Sequence, residues 1–196
     1  MVVGGDFSHH NTEIPEGLGF IWLKATEGKT YVDPKLNDHI TTIAERGHYA
    51  TLPIMGFYHF ARPDNNGPEE EAKHYLDVIE PHVGKCLTAL DWEVPEIVNE
   101  WTCDKQYVWA NEFTDYIVKN TGVMPLFYTS RYVAGSFAHY FRGFLTDRLW
   151  LADYNGAIVS SVYGVKPVMQ QMHTRPFDID IFPGSREELV KLALPK

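Results

Sequence analysis

Runs of apolar, β-branched and aromatic residues recur along the chain, at Val2 to Phe7, Phe20 to Ala25, Ile54 to Phe60, Cys86 to Asp91, Met124 to Tyr128, Leu149 to Tyr154, Pro167 to Met172 and Phe177 to Phe182. Their length and content predict strands. Between the early runs the apolar positions fall at helical spacing: Asp33 to Arg46, closed by Gly47; Pro68 to Ile79, closed by Pro81; and Asp104 to Asn120, closed by Gly122. Asp33-Pro34 reads as a helix start with proline in the first turn. A shorter helix fits Tyr132 to Phe141. Ser185 to Leu194 predicts a closing helix, with Ser185 as its N-cap and Glu187-Glu188 in its first turn.

Alternation of strands and helices implies parallel strands joined by right-handed crossovers, in an open sheet or a closed barrel. The last three strands favour the barrel, because from Leu149 onward the connections are too short for full helices. The expected fold is α/β, an irregular TIM-like barrel of about eight strands. About five regular strand–helix units precede a final part with reduced helices, all in one domain over residues 1–196. Gly4-Gly5 lies inside the first strand and no glycine-rich phosphate loop occurs, so nucleotide chemistry is not expected.

Composition narrows the ligand class. A net charge of −9 argues against a nucleic-acid partner and a polybasic membrane contact, both of which need a basic stripe. No apolar run approaches the roughly 20 residues that span a bilayer, so membrane insertion is not expected. Met1 to Asp6 has no basic n-region, so a Sec-type signal peptide is not expected either. Cys86 and Cys103 lack zinc-ligand spacing and read as free thiols. His9-His10 and His59 lack the usual helical ligand spacing, and neither metal nor cofactor is expected. An aromatic share of 14% in an acidic chain fits a ligand held by stacking, with carbohydrate the obvious class.

The candidate chemistry sits where strands end. Asp91-Trp92-Glu93 closes the apolar run Cys86 to Leu90, and alternation sends both carboxylates to one face and Trp92 to the other. In a parallel barrel the functional face lies at the C-terminal ends of the strands. Those ends read Asp6-Phe7-Ser8, Tyr58-His59-Phe60, Asp91-Trp92-Glu93, Tyr128-Thr129-Ser130 and Ala152-Asp153-Tyr154, and the last strand carries Phe177-Asp178-Ile179-Asp180. Asp6, Asp91, Glu93 and Asp178 are therefore expected to share one cavity with several tyrosines.

Taken in order, Gly5-Asp6-Phe7-Ser8, Lys24-Ala25-Thr26-Glu27-Gly28 with Tyr31-Val32-Asp33-Pro34, Gly56-Phe57-Tyr58-His59-Phe60-Ala61, Glu71-Ala72, Asp91-Trp92-Glu93, Tyr128-Thr129-Ser130, Leu149 to Tyr154 and Asp178-Ile179-Asp180 resemble the glycoside hydrolase family 25 lysozymes. The resemblance spans Gly5 to Gly184. It implies an N-acetylmuramidase that cuts the β-1,4 bond between N-acetylmuramic acid and N-acetylglucosamine, with bacterial peptidoglycan as partner. By the motif match Glu93 takes the place of the general acid and Asp91 of its partner, while Asp6 and Asp178 match the remaining acids. Tyr58, Tyr128, Tyr154 and Gln170 are the expected sugar contacts.

The chain departs from the pattern at Met169-Gln170-Gln171, where the family often has Trp-Gln-Tyr, and at Asp180, where Asn is frequent. His9-His10-Asn11 stands where a glutamine is common. Many members are phage endolysins, and this one is expected to be a monomer without a separate wall-binding domain, held in the host cytoplasm until lysis. A catalytically silent wall-binding module, or a hydrolase of another 2-acetamido polysaccharide such as chitin, are the alternatives.

In the expected mechanism Glu93 is protonated and Asp91 ionised. Spacing two residues apart on a strand leaves open substrate-assisted retention, inversion and a covalent carboxylate intermediate. Trp150 is expected in the core, His59 as a structural residue, and Lys24 as a charge partner for the acids. An acidic protein on an anionic wall is expected to show salt-sensitive activity.

Overall fold

In the computed structural model, residues 1–46, 53–93 and 101–195 are described, so the predicted helix closure at Gly47 lies outside them. The strands are β1 (Val2–Phe7), β2 (Phe20–Glu27), β3 (Tyr31–Val32), β4 (Ile54–Phe60), β5 (Leu87–Asp91), β6 (Leu126–Ser130), β7 (Leu149–Ala152), β8 (Met169–His173) and β9 (Asp178–Phe182). The helices are α1 (Leu36–Arg46), α2 (Pro68–Ile79), α3 (Cys103–Thr121), α4 (Arg131–Leu145) and α5 (Arg186–Lys191).

All strands but β3 form a closed ring, because β1 pairs with both β2 and β9. From β1 to β8 the barrel neighbours run parallel, but β9 is antiparallel to both β8 and β1. The expectation of parallel strands throughout thus fails at the last one. The connection from His173 to Asp178 is too short for a crossover to the far end of the barrel, so the chain must turn back beside itself. Among the described residues, regular strand–helix units number four rather than about five, since the segment from β1 to β2 carries no helix.

Period-two alternation divides the core into two layers. Phe20, Trp22, Leu87, Ala89, Leu126, Trp150, Met169 and Phe182 fill the barrel, while Ile21, Leu23, Leu90, Trp92, Phe127, Leu149 and Leu151 face the helices. Trp22 and Trp150 stack inside the barrel with ring centroids 4.7 Å apart, which bears out the core reading of Trp150. Gly56 makes room for this stack, since a Cβ there would stand 2.3 Å from the Trp22 ring. The short helix α5 brings Leu189 to the interior cluster, joined by Ala193 just beyond it, closing the end opposite the cleft. Its N-terminus carries the predicted Ser185 cap, reinforced by Glu188 reaching back to the Ser185 amide.

Two helix boundaries have local causes. Gly122 caps α3 in the left-handed conformation, donating its amide to the Val118 carbonyl as the sequence predicts. Asp33-Pro34 does not begin α1, which starts at Leu36. Instead, the Asp33 carboxylate accepts from the Lys35 amide and from both the amide and the Nδ1 of His9. Asp33 therefore ties the loop after β1 to the start of α1.

Candidate active site

The cleft lies at the C-terminal ends of the parallel strands and holds about 300 Å³. Asp6, Asp91, Glu93, Asp178, Tyr58, Tyr128 and Tyr154 all line it, as do Ser8, His10, Lys24, Phe60, Trp150 and Gln171. Asp91 is the last residue of β5 and buried, with Glu93 two residues on and exposed at the rim. Trp92 is turned away into the outer core beside Trp109 and Phe127. The alternation read from the sequence thus places both carboxyls on the cleft side.

Asp178 reaches the same cleft because β9 runs backwards. Its first residue lies beside the final turns of the other strands, where it pairs in register with Asp6. Had β9 run parallel, its beginning would lie at the α5 end.

The predicted contact Gln170 is not in the cleft. Its amide donates to the Asp153 and Ala157 carbonyls at 3.0 and 3.1 Å, and its oxygen accepts from the Val159 amide at 2.8 Å. It braces the long connection between β7 and β8. The cleft residue is its neighbour Gln171, which donates from Nε2 to Asp6 Oδ2 at 2.7 Å and accepts from the hydroxyls of Tyr128 and Tyr154. Met169 points into the barrel, so alternation carries Gln171 inward too. Met-Gln-Gln-Met reads the same in both directions, and its pattern alone cannot say which glutamine faces in.

A bulge in β2 between Lys24 and Thr26 resets that strand's alternation. Lys24 faces the cleft and pairs with Glu27 at 2.6 Å, and Glu27 also meets Arg62 Nε at 3.1 Å. Thr26 is turned outward, its hydroxyl 2.8 Å from His59 Nδ1. His59 is fully buried, with Nε2 2.7 Å from Glu71, whose carboxylate also accepts from the Arg62 amide and Asn66. The structural reading of His59 therefore holds. Glu71 is the anchor that ties β4 to α2.

The electrostatics of the cleft favour protons. Burial raises Asp6 from the usual carboxylate range to about 7, and the charge of Asp178 adds to this. Burial pushes Asp91 well above its ordinary value, with Glu93 and Asp6 adding repulsion and Lys24 opposing it. Glu93 is raised as well, because the cleft walls strip water from it and Asp178 faces it. The expected division into a protonated Glu93 and an ionised Asp91 is thus not set by the cleft residues alone, among which burial acts more strongly on Asp91. Asp91 Oδ1 is buried without a hydrogen-bond partner among the described residues. A buried carboxylate so placed is costly, and a substrate donor or a developing positive charge would relieve it.

Beneath the cleft, Asp180 is fully buried and accepts from the Trp150 indole at 2.8 Å. Its other oxygen, Oδ2, has no hydrogen-bond partner among the described residues, and burial together with the nearby charge of Asp6 raises the Asp180 carboxyl well above its ordinary value. Among the described residues no group of three or more His, Cys, Asp or Glu is arranged to hold a metal ion.

Comparison with known proteins places this arrangement. The chain is 29% identical over 145 residues to an autolytic lysozyme of Clostridium acetobutylicum, a match covering 70% of this chain but 39% of that protein. The fold superposes on a muramidase from Trichobolus zukalii with a TM-score of 0.80 and 26% identity, covering 98% of this chain and 99% of the other. A family GH25 lysozyme from Aspergillus fumigatus matches with the same score, identity and coverage. The family model described as "Glycosyl hydrolases family 25" matches residues 5–174, and the chain belongs to that family.

Proposed function

We propose that this protein is a muramidase that hydrolyses the β-1,4 bond between N-acetylmuramic acid and N-acetylglucosamine in bacterial peptidoglycan. The observation that carries this reading is the convergence of Asp6, Asp91, Glu93 and Asp178 on one tyrosine-lined cleft, in a chain of family 25.

Glu93 is the general acid. It stands at the rim of the cleft, and loss of water there, with the repulsion of Asp178, strengthens its hold on the proton it is to give. Asp91 faces the 2-acetamido group. As the carbonyl oxygen of that group bonds to the anomeric carbon, the glycosidic C–O bond breaks and the leaving oxygen takes the Glu93 proton; Asp91, which gives up its own proton to solvent when the substrate binds, is the anion matched to the positive charge that develops on the amide. The substrate thus supplies the compensation that the side chains of the cleft do not. Asp6 and Asp178 hold the field of the cleft, and Gln171 holds Tyr128, Tyr154 and Asp6 in one network. Departure of the leaving sugar turns Glu93 into a base for the incoming water, so this route retains anomeric configuration. Proton NMR of the first-formed anomer tests it, because an α-anomer appearing first excludes retention.

The bond is tested by reducing digested walls with borohydride. Muramitol termini support the proposal, glucosaminitol termini indicate a glucosaminidase, and no new reducing ends a binding module. The biological setting we infer is lysis of a host from within, as an endolysin, by analogy with the many family members of that kind. Cytoplasmic expression is then harmless until the membrane is permeabilised, and lysis without a lesion would exclude the setting.

A further inference from the structure

A second hollow of about 400 Å³ lies outside the cleft, lined by Arg131, Tyr132, Gly135, Ser136, His139, Tyr140 and Tyr163. Three tyrosines frame it, and they are 80%, 65% and 66% exposed for Tyr132, Tyr140 and Tyr163. Such side chains exposed singly are ordinary, but grouped around one hollow they mark a surface that meets a ligand.

The construction of this surface is specific. Tyr163 occupies the first of two positions in a tight turn between Val162 and Val165, with φ of 46°, followed by Gly164 at 83°. A bulky residue in the left-handed region is uncommon and needs support from its surroundings. Here the ring lies against Gly135 of α4, where a Cβ would meet it at 3.0 Å. The Cδ2–Cε2 side of the ring is held against the helix while much of the residue remains open to water. Tyr132 and Tyr140, eight residues apart on α4, set two further rings roughly 12 Å apart along the helix axis.

One ion pair links the hollow to the edge of the cleft. Arg131 forms one edge and ion-pairs with the buried Asp153, whose neighbour Tyr154 lines the cleft. We infer that this tyrosine surface is a second carbohydrate site, which holds the 2-acetamido glycan strand of the wall where it continues past the cleaved bond. Stacked tyrosines suit the apolar faces of pyranose rings, and their hydroxyls suit the rims. The occupant is a glycan rather than an anionic polymer, because a chain of net charge −9 gains nothing from approaching one. The inference rests on the proposed wall substrate.

The test is made in the Glu93→Gln protein, so that binding is read without hydrolysis. Sedimentation with purified, teichoic-acid-free sacculi compares this protein with one also carrying Tyr132→Ala, Tyr140→Ala and Tyr163→Asn, asparagine being tolerant of the left-handed turn. The expected result is an apparent Kd raised about tenfold by loss of the three stacking contacts. Chitooligosaccharide should displace the parent protein and free stem peptide should not. In the otherwise wild-type background, the triple variant should cut short soluble glycan fragments at the parental rate and intact walls several-fold more slowly. Equal affinity of the two proteins for sacculi overturns the inference, as does displacement by stem peptide alone. If instead the wall is the wrong substrate, the unmutated enzyme releases no reducing ends from sacculi and neither inactive protein sediments with them. That pattern is distinct from a wall that is cut while both bind alike.

Discussion

Asp6 and Asp178 are cross-strand partners, joined in register by the antiparallel pairing of β1 with β9. Their carboxyls meet in the cleft, and each is raised by burial, with the charge of Asp178 further raising both Asp6 and Glu93. The repulsion has a catalytic use, since a general acid must be protonated to act.

Replacing Asp178 with Asn removes a negative charge facing Glu93. The Glu93 anion becomes easier to form, so its pKa falls and the alkaline limb of the kcat/KM profile moves to lower pH. A pH series on soluble wall fragments measures this. An unmoved limb separates Asp178 from the proton donor.

The two residues of the dyad should fail differently. Glu93→Gln preserves shape but has no proton to give, and activity should fall by about 10²–10⁴ with folding intact. Asp91→Asn should lower kcat by about 10²–10³ through loss of charge stabilisation. The same Asp91→Asn protein should melt at higher temperature than wild type at neutral pH, because a buried carboxylate without a partner at Oδ1 is gone. Calorimetry beside kinetics checks both halves, and an unchanged or lower Tm would show that Asp91 is not a source of stored cost.

Asp180 with Asp6 gives a pH-dependent stability of defined sign. Asp6 is raised to about 7 and Asp180 is raised as well, so the folded protein binds more protons than the unfolded chain. Stability on this account is greatest below the unfolded carboxylate range near pH 4 and declines as pH rises toward 7. Asp180→Asn keeps an acceptor for the Trp150 indole and offers an amide donor to Asp6. The variant should match wild type near pH 4 and exceed it by about 1–3 kcal/mol at pH 7.5. Denaturant titrations at the two pH values decide it, and a gain of equal size at both would remove the proton from the explanation.

The neighbouring glutamines of β8 should separate binding from folding. Gln171→Ala strips an acceptor from Tyr128 and Tyr154 and a donor from Asp6, so activity should fall by tenfold or more. Gln170→Ala leaves the Val159 amide and two carbonyls without their partner and should cost about 1–3 kcal/mol of stability with KM unchanged. Paired kinetics and melting curves on the two variants test the assignment, and a KM effect at Gln170 would reverse it.

The local grammar of this chain was readable without its structure. Eight strand positions, the caps at Ser185 and Gly122 and the shared facing of Asp91 and Glu93 follow from periodicity and turn chemistry, which act over a few residues. The tertiary structure decided what depends on closing the ring. Closure turned β9 against its neighbours and brought the start of that strand, Asp178, beside Asp6. It chose Gln171 over Gln170, because facing inward has meaning only once the barrel has an inside. It also set the protons: burial and the proximity of distant strands raise Asp6, Asp91 and Asp180, and neither burial nor proximity is encoded in the spacing of residues along one strand.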